Sequence, residues 1–175
     1  MKVYLVGLRG SGKTTVGRRL AELLGLPFAD QDALVEERAG KPISRIFAED
    51  GEEAFRRLEG EVLEELAAGG PVVVATGGGV VLRSENRRLL RRGLTVYLQA
   101  PPELLARRIS ADPSTGSRRP PLTDRGDPAG EMHLLHEQRD GLYREVARRT
   151  VDASRPLEEV VQAVLEALGG GRAGA

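Results

Sequence analysis

Short apolar segments along the chain alternate with segments in which apolar residues recur at helical spacing. The apolar segments are predicted to be strands at Lys2–Val6, Leu26–Ala29, Pro71–Ala75, Leu94–Leu98 and Thr150–Asp152. Strands that alternate with helices favour a parallel sheet with helices on both faces. The run at 71–75 is apolar throughout, which is typical of a parallel strand covered on both sides. We therefore predict a doubly wound α/β fold with five parallel strands.

The intervening segments are predicted to be helices. In the first half of the chain we expect one helix between the first glycine-rich loop and Gly25, a second beginning at Ala33, and a third from Ile43 to Leu66 with a break near Asp50-Gly51. In the second half we expect helices from Ser84, as the cap, to Arg92 and from Pro101-Pro102 to Ile109. Two more are expected from Asp127-Pro128 to about Arg149 and from Leu157 to Leu168. The stretch 111–126 is rich in Pro, Gly, Ser, Asp and Arg, so we expect an active-site lid, a disordered segment, or both. Residues 1–168 are predicted to form one domain and 169–175 a disordered tail.

Composition removes several classes of function. The chain has no cysteine, which excludes disulfides, thiolate nucleophiles and cysteine-based metal sites. Lys+Arg and Asp+Glu number 26 each, so no broad basic surface for nucleic acid or anionic membrane is expected. The first strand begins at once without an apolar signal segment, and we therefore expect a cytoplasmic protein.

The stretch GLRGSGKT at 7–14 joins the first strand to the first helix and fits the phosphate-binding loop (P-loop) pattern. Gly10 and Gly12 permit conformations in which successive N–H groups turn towards one point, which the positive end of the helix also faces. Lys13 is expected to bridge the terminal phosphates of a nucleotide. The Thr14 hydroxyl is expected to ligate the magnesium ion that accompanies those phosphates.

Asp30 and Asp32 follow the second strand. Residues two apart in an extended segment face the same side, so both carboxylates are predicted to project from the ligand edge of the sheet. One would lie near the metal shell, and the other would bond the hydroxyl that is phosphorylated. Helix capping is the alternative for one of the two, because a helix is predicted from Ala33.

Arg56 and a run of three glycines add candidate ligand-binding groups. Arg56 lies beside an apolar stripe with Glu59 one turn on, so it is either an oriented clamp for a carboxylate or phosphate, or part of a solvated helix face. Gly77, Gly78 and Gly79 follow a strand, where they form either a flexible turn or a close approach to ligand. In the second case their N–H groups would line the pocket between donor phosphate and acceptor.

Arg139 falls on the apolar stripe of the helix predicted from Asp127. A charge on a buried face needs a partner, and spacing leaves an internal carboxylate and a bound anion equally open. His133 and His136 are interpreted as solvated. Arg155 lies in the turn before the last helix, where it could cover a nucleotide base. Together the motifs predict a small-molecule kinase whose acceptor carries its hydroxyl near Asp32 and a carboxylate near the two inward arginines.

The ordered combination of motifs resembles the shikimate kinase family over nearly the whole chain. The shared motifs are GLRGSGKTT, DQD at 30–32, GEEAFRRLE at 51–59, TGGG at 76–79, the RRP segment at 118–120 and RDGLYREVA at 139–147. The resemblance implies a P-loop kinase fold of the nucleoside-monophosphate-kinase type. It also implies transfer of the ATP γ-phosphate to the 3-hydroxyl of shikimate, in aromatic amino-acid biosynthesis, by a monomer.

Carried over by position, the resemblance implies roles for individual residues. Shikimate would be held by Asp32, Arg56, Gly77, Gly78, Gly79 and Arg139, with Asp32 as the base. ATP would be held by Gly10, Ser11, Gly12, Lys13, Thr14 and Thr15, with Arg108 and Arg155 beside the adenine. Mg²⁺ would be bound by Thr14, with Asp30 reaching the ion either directly or through water. The catalytic residues would be Lys13, Asp32 and the lid arginine Arg119.

One departure from the family pattern lies in the lid. Where the family commonly has Arg-Pro-Leu-Leu, this chain has Arg119-Pro120-Pro121-Leu122, preceded by Arg118. The second proline stiffens the segment. Arg119 is preferred as the lid arginine because it directly precedes the first proline.

Two alternatives to this function stand beside it. A gluconate kinase or a nucleoside-monophosphate kinase would share the loop and the fold, but the DQD pair, the glycine turn and Arg139 argue against both. A non-catalytic nucleotide-binding regulator would be expected to have lost Lys13, Asp32 or the lid arginine, and all three are present.

Overall fold

The computed structural model of the chain describes residues 1–112 and 127–169. The strands are β1 (Lys2–Val6), β2 (Phe28–Asp30), β3 (Val72–Ala75), β4 (Leu94–Gln99) and β5 (Arg149–Asp152). The helices are α1 (Lys13–Leu24), α2 (Gln31–Ala39), α3 (Ile43–Asp50), α4 (Glu52–Ala68), α5 (Ser84–Arg92), α6 (Pro102–Ala111), α7 (Pro128–Val146) and α8 (Leu157–Gly169), with a short 3-10 turn at Val80–Leu82.

The five strands form one parallel sheet in the order β2-β3-β1-β4-β5. This order confirms the predicted doubly wound α/β fold. The chain adds strands on one side of β1 and then, from β4 onwards, on the other side. Ligands of such sheets bind at the carboxyl ends of the strands where the direction reverses. The loops that follow β1 and β3 therefore occupy the position expected of a binding site.

Two apolar clusters hold the molecule together. The larger one surrounds the sheet, and β3 is buried at all four positions because helices cover both of its faces. The smaller cluster lies among α2, α3 and α4 and contains Val35, Ile43, Ile46, Phe55 and Val62. It gives these three helices a core of their own beside the carboxyl end of β2.

Several predicted boundaries differ from the structure. The helix α2 begins at Gln31, because Asp30 caps it, and Asp32 therefore lies in its first turn. The prediction that Asp30 and Asp32 share an extended segment is wrong. Ser84 is the first residue of α5 and Arg83 is its N-cap. The helix α7 ends at Val146, because Arg149 already pairs with β4 as the start of β5.

Some predictions fall outside the described residues. Arg118 and Arg119 lie there, with all of the predicted lid except Ala111, which ends α6, and Asp112. The predicted tail also lies there except for Gly169, which is the last residue of α8. Within 1–112 and 127–169, no helix is long and apolar enough to span a bilayer.

Two helical glycines test the packing of α1 on the sheet. A Cβ at Gly17 would lie 2.7 Å from the ring of Phe28, whereas a Cβ at Gly141, on the exposed side of α7, would meet nothing within 4 Å. We expect Gly17→Ala to lower the free energy of unfolding by about 1–3 kcal/mol through overpacking. The control Gly141→Ala should be neutral or stabilising by up to about 1 kcal/mol, because alanine is the better helix former. Urea unfolding measures both, and equal effects of the two substitutions would contradict this account of the α1–β2 contact.

Candidate functional site

The loop between β1 and α1 has the conformation that phosphate binding requires. Gly10 and Gly12 have φ angles of 80° and 89°, which side-chain-bearing residues rarely adopt. Gly12 precedes α1 and provides no capping side chain, and the first turn of the helix contains no acidic residue. The positive end of a 12-residue helix thus faces the cleft without a carboxylate in that turn.

Lys13 lies over this loop. Its Nζ donates to the carbonyl oxygens of Gly7, at 2.7 Å, and Leu8, at 2.9 Å. The ammonium group is therefore held at the phosphate loop rather than extended into solvent.

Thr14 and Asp30 place two oxygen ligands side by side. The Thr14 hydroxyl donates to Oδ2 of Asp30 at 2.9 Å, while Oδ1 of Asp30 accepts from the N–H of Ala33 at 3.3 Å. The capping alternative is correct for Asp30, yet the same carboxylate also faces the P-loop. A hydroxyl and a carboxylate are oxygen donors of the kind that hard cations such as Mg²⁺ prefer.

Asp32 lines the same cleft as the P-loop side chains and lies beside the glycine turn. A Cβ at Gly77 would lie 2.9 Å from Oδ1 of Asp32 and 2.5 Å from Oε1 of Glu59, so both carboxylates press against the glycine turn. Asp32, Asp30, Lys13 and Thr14 line one cleft of about 550 Å³ with Gly78. The structure therefore brings these predicted residues together, although Asp32 arrives there from a helix.

Arg56 is 5% exposed, and the solvated-face alternative is wrong. Its Nη1 donates to Oε2 of Glu59 at 3.0 Å, its Nη2 lies 3.5 Å from Glu52, and its guanidinium lies 5.1 Å from the centre of the Phe55 ring. One carboxylate and one aromatic face thus fix the guanidinium in a single orientation.

Glycine is required in the turn at 77–79 because neighbouring side chains approach the backbone closely, not because the turn has an unusual backbone conformation. None of Gly77, Gly78 and Gly79 has a positive φ. A Cβ at Gly79 would lie only 2.1 Å from Nη1 of Arg56. The predicted use of all three N–H groups towards ligand is wrong for Gly77, whose N–H donates to Oε1 of Gln31 at 2.9 Å.

Arg139 is buried on the inner face of α7, with 5% of its surface exposed. Its Nη1 would lie 3.6 Å from a Cβ at Gly78, which puts the guanidinium beside the glycine turn. Among residues 1–112 and 127–169, no carboxylate forms an ion pair with Arg139, and its buried Nε has no hydrogen-bond partner. Of the two alternatives that spacing left open, this environment favours a bound anion over an internal carboxylate.

Tyr143 was not singled out by the sequence analysis. It lies one turn after Arg139, is fully buried, and donates its hydroxyl to the carbonyl oxygen of Gly78. Its ring packs on Tyr97 at a centroid distance of 4.9 Å, and the Tyr97 hydroxyl donates to Oδ1 of Asp140 at 2.9 Å. Burial and this hydrogen bond raise the pKa of Tyr97 far above its usual value. The i, i+4 spacing from Arg139 is the signal that could have found Tyr143.

Two other polar groups of the site were missed as well. Gln31 is fully buried between α2, α4 and the glycine turn. Nη2 of Arg9, inside the P-loop, lies 2.9 Å from Oε1 of Glu131 in the first turn of α7. The partners of this pair are 122 residues apart, so no local pattern could have revealed it.

Arg108 and Arg155, the two arginines predicted to lie beside the adenine, are both found next to the P-loop. Arg108 donates to the carbonyl oxygens of Gly10, at 3.2 Å, and Ala153, at 2.8 Å, which ties α6 to the loop. Arg155 is exposed and borders, together with Arg108, Ser11 and Thr15, a cavity of about 260 Å³ that adjoins the P-loop.

The predicted solvated histidines differ from one another. His133 is half exposed and lies near Glu103, as expected, whereas the side chain of His136 is only 28% exposed and lies 4.0 Å from Asp140. His136 is remote from the residues that line the cleft.

A groove of about 640 Å³ between α2, α4 and the start of β3 is larger than the P-loop cleft. It contains neither the P-loop nor the glycine turn, and its charged side chains include the paired Arg38 and Glu65. Chemistry rather than volume therefore identifies the P-loop cleft as the candidate active site.

Comparisons with known proteins agree with this geometry. A family model described as shikimate kinase matches residues 9–169. A shikimate kinase from Symbiobacterium thermophilum is 48% identical over 170 residues, covering 96% of this chain and 96% of that protein. A shikimate kinase from Dechloromonas aromatica is 50% identical over 153 residues, covering 87% and 81%. The solved structure of shikimate kinase from Acinetobacter baumannii in complex with shikimate has a TM-score of 0.91 at 39% identity, covering 99% of this chain and 95% of that one.

The Asp140 carboxylate, which anchors Tyr97, generates a pH prediction. Burial acts to raise the pKa of Asp140, but hydrogen bonds from Arg144 and Tyr97 outweigh it and hold the pKa below its usual value. A carboxyl with a lowered folded-state pKa stabilises the protein above its unfolded-state pKa and loses that contribution as the pH falls through the folded-state pKa. We expect Asp140→Asn to reduce the free energy of unfolding by about 1 kcal/mol near neutral pH.

Below about pH 4 the difference between this variant and the unmodified protein should shrink, because the carboxyl then becomes protonated. Urea titrations between about pH 7 and about pH 3 measure it. A difference that stays constant across this range would show that the charge of Asp140 contributes nothing.

Proposed function

The chain belongs to the shikimate kinase family, and from this premise we propose which residues carry out the family's reaction, the transfer of the γ-phosphate of ATP to the 3-hydroxyl of shikimate. The observation that carries the proposal is the buried Arg139. Its guanidinium lies beside Gly78, which lines the P-loop cleft, and it has no carboxylate partner among the described residues.

The donor phosphates bind at the P-loop. The N–H groups at the start of α1 and the helix dipole act on the phosphate oxygens. Lys13 exchanges its contacts with the carbonyl oxygens of Gly7 and Leu8 for contacts with the terminal phosphates, and follows the transferring group. Arg108 and Arg155 flank the base, and Arg119, outside the described residues, serves as the lid arginine.

Thr14 and Asp30 hold the magnesium ion of the nucleotide. Their oxygens lie 2.9 Å apart, so the Thr14 hydroxyl and the Asp30 carboxylate would together supply oxygen ligands to the ion, directly or through water. When bound, the ion would neutralise negative charge on the phosphates. Asp30 remains fixed by its cap on α2 and orients the Thr14 hydroxyl.

The acceptor carboxylate binds Arg139 and Arg56. A planar guanidinium can donate two parallel hydrogen bonds to a carboxylate, which fixes orientation as well as position. Because Nη1 of Arg56 already donates to Glu59, the orientation of the Arg56 guanidinium is fixed, and its remaining N–H donors point in one direction. Gly79 permits this arrangement, because any side chain there would occupy the space of the guanidinium.

Asp32 then faces the acceptor hydroxyl. It accepts the hydrogen bond of the 3-hydroxyl, aligns that oxygen with the γ-phosphate, and takes its proton as the bond to phosphorus forms. The glycine turn beside Asp32 carries no side chains, which leaves space for the shikimate ring between Asp32 and Lys13.

The direct test is an assay of ADP release. The purified protein is mixed with ATP and magnesium, with and without shikimate, and with gluconate and AMP as control acceptors. We expect release that depends on shikimate and exceeds both controls. A larger response to gluconate or AMP would overturn the acceptor assignment. ATP binding without turnover on any acceptor would favour a regulator.

Removal of the Arg139 charge is expected to weaken acceptor binding without unfolding the protein. In Arg139→Met the carboxylate loses its buried cation, and the dissociation constant for shikimate should rise about 30-fold or more. Thermal stability without ligand should be equal or higher, because an uncompensated buried charge is removed.

Calorimetry and thermal unfolding measure the two effects, with Arg88→Met, at an exposed arginine of α5, as the control. Loss of stability with unchanged shikimate affinity would assign Arg139 to an internal structural role instead.

Asp32→Asn preserves the shape of the side chain but removes its basicity. We expect kcat to fall by about 100-fold or more, with a smaller change in KM for shikimate, because the amide can still bond the hydroxyl but cannot accept its proton. Steady-state kinetics at saturating ATP measure both constants. A kcat close to that of the unmodified enzyme would remove Asp32 from the proton transfer.

A further inference from the structure

Gln31 is a fully buried polar residue between Asp30 and Asp32. Its Nε2 donates to the carbonyl oxygen of Glu59 at 2.8 Å, and its Oε1 accepts from the N–H of Gly77 at 2.9 Å. One partner can only accept and the other can only donate, so the two contacts fix which way round the amide lies.

These two bonds join three separate parts of the acceptor side. Gln31 opens α2, Glu59 belongs to α4, and Gly77 opens the glycine turn after β3. The partners are 28 and 46 residues away in the chain. The carbonyl of Glu59 lies within a helix and uses a further lone pair for Gln31, which leaves the helix intact.

We propose that Gln31 is a positioning residue for the acceptor: its side-chain amide sets the spacing of Asp32, the Arg56–Glu59 pair and the glycine turn. This inference rests on the proposed function, since it assumes that shikimate binds among those groups. Gln31 does not touch the ligand itself, because both polar atoms of its buried amide face the protein.

The tolerances in this region are narrow. Gly77 lies against the carboxylates of Asp32 and Glu59, and Gly79 lies against the guanidinium of Arg56. A shift of a few tenths of an ångström in the turn or in α4 therefore moves the groups that hold the carboxylate and the hydroxyl. Misplacement of a substrate by about 1 Å can lower turnover by about 100-fold. The two hydrogen bonds of Gln31 go to Glu59 and Gly77 and not to the P-loop, so we expect a smaller effect on ATP binding than on shikimate binding.

The experiment compares two variants of Gln31 with a control in the full chain. Gln31→Met keeps the length of the side chain and removes both hydrogen bonds. Gln31→Glu keeps the acceptor for Gly77 but replaces the donor to Glu59. The control is Thr95→Val, which removes another buried bond, from the Thr95 hydroxyl to the Leu90 carbonyl, in β4 away from the cleft.

For Gln31→Met we expect KM for shikimate to rise about tenfold and kcat to fall about tenfold, while KM for ATP stays within about twofold. Thr95→Val should lower thermal stability by a comparable amount and leave all three constants within about twofold. This split separates positioning from a general loss of stability.

Gln31→Glu tests the two hydrogen bonds separately, because its carboxylate can accept from the N–H of Gly77 but cannot donate to the carbonyl of Glu59. We expect KM for shikimate to rise in this variant as well, while KM for ATP stays within about twofold.

Two results would overturn the inference: a shikimate KM within about twofold of normal in Gln31→Met, or equal increases in KM for ATP and shikimate in both variants. If the unmodified protein shows no shikimate-dependent ADP release, the proposed function fails instead, and that control is run first.

Discussion

A buried guanidinium without a carboxylate partner is costly in a folded protein, and within the part of the chain that the structure describes Arg139 is such a group. Arg139 lies on the inner face of α7, where the apolar stripe of the helix would favour an aliphatic side chain. Tyr143, one turn later, bonds the carbonyl of Gly78 and so holds the same helix against the glycine turn. In the proposed function, an anion that binds Arg139 supplies the partner that the described residues do not, which would favour acceptors that carry a negative charge.

Arg56 shows the contrasting solution. Its charge is paired with Glu59, its face lies near Phe55, and its outer edge passes over Gly79. The Arg56 guanidinium is therefore stabilised without a ligand. Its proposed role is to orient the acceptor carboxylate rather than to supply an unpaired charge. The two arginines come from different helices, α4 and α7, and both lie beside the glycine turn that follows β3, next to β1 and its P-loop. The proposed donor and acceptor sites therefore lie at the point where the strand order reverses.

Much of the fold could be predicted because its signals are local. The apolar segments predicted five parallel strands in a doubly wound fold. The P-loop pattern predicted that the first strand is joined to the first helix by a phosphate-binding loop. Asp32 was misplaced because capping by Asp30 starts α2 two residues before the predicted Ala33, which single-sequence patterns resolve poorly. The contacts of Gln31 and the Arg9–Glu131 pair could not be predicted, because they join segments that only the tertiary structure brings together. Whether Arg139 has an internal partner is likewise a tertiary fact that spacing cannot decide.

The central claim is that an unpaired buried charge selects the acceptor through its carboxylate. The most direct measurement compares the binding of shikimate and of its methyl ester by calorimetry, because the ester keeps the ring and the hydroxyls but removes the negative charge. The account predicts that the ester binds at least about 30-fold more weakly than shikimate, and that this difference largely disappears in the Arg139→Met variant. Equal affinities of acid and ester for the unmodified protein would contradict it.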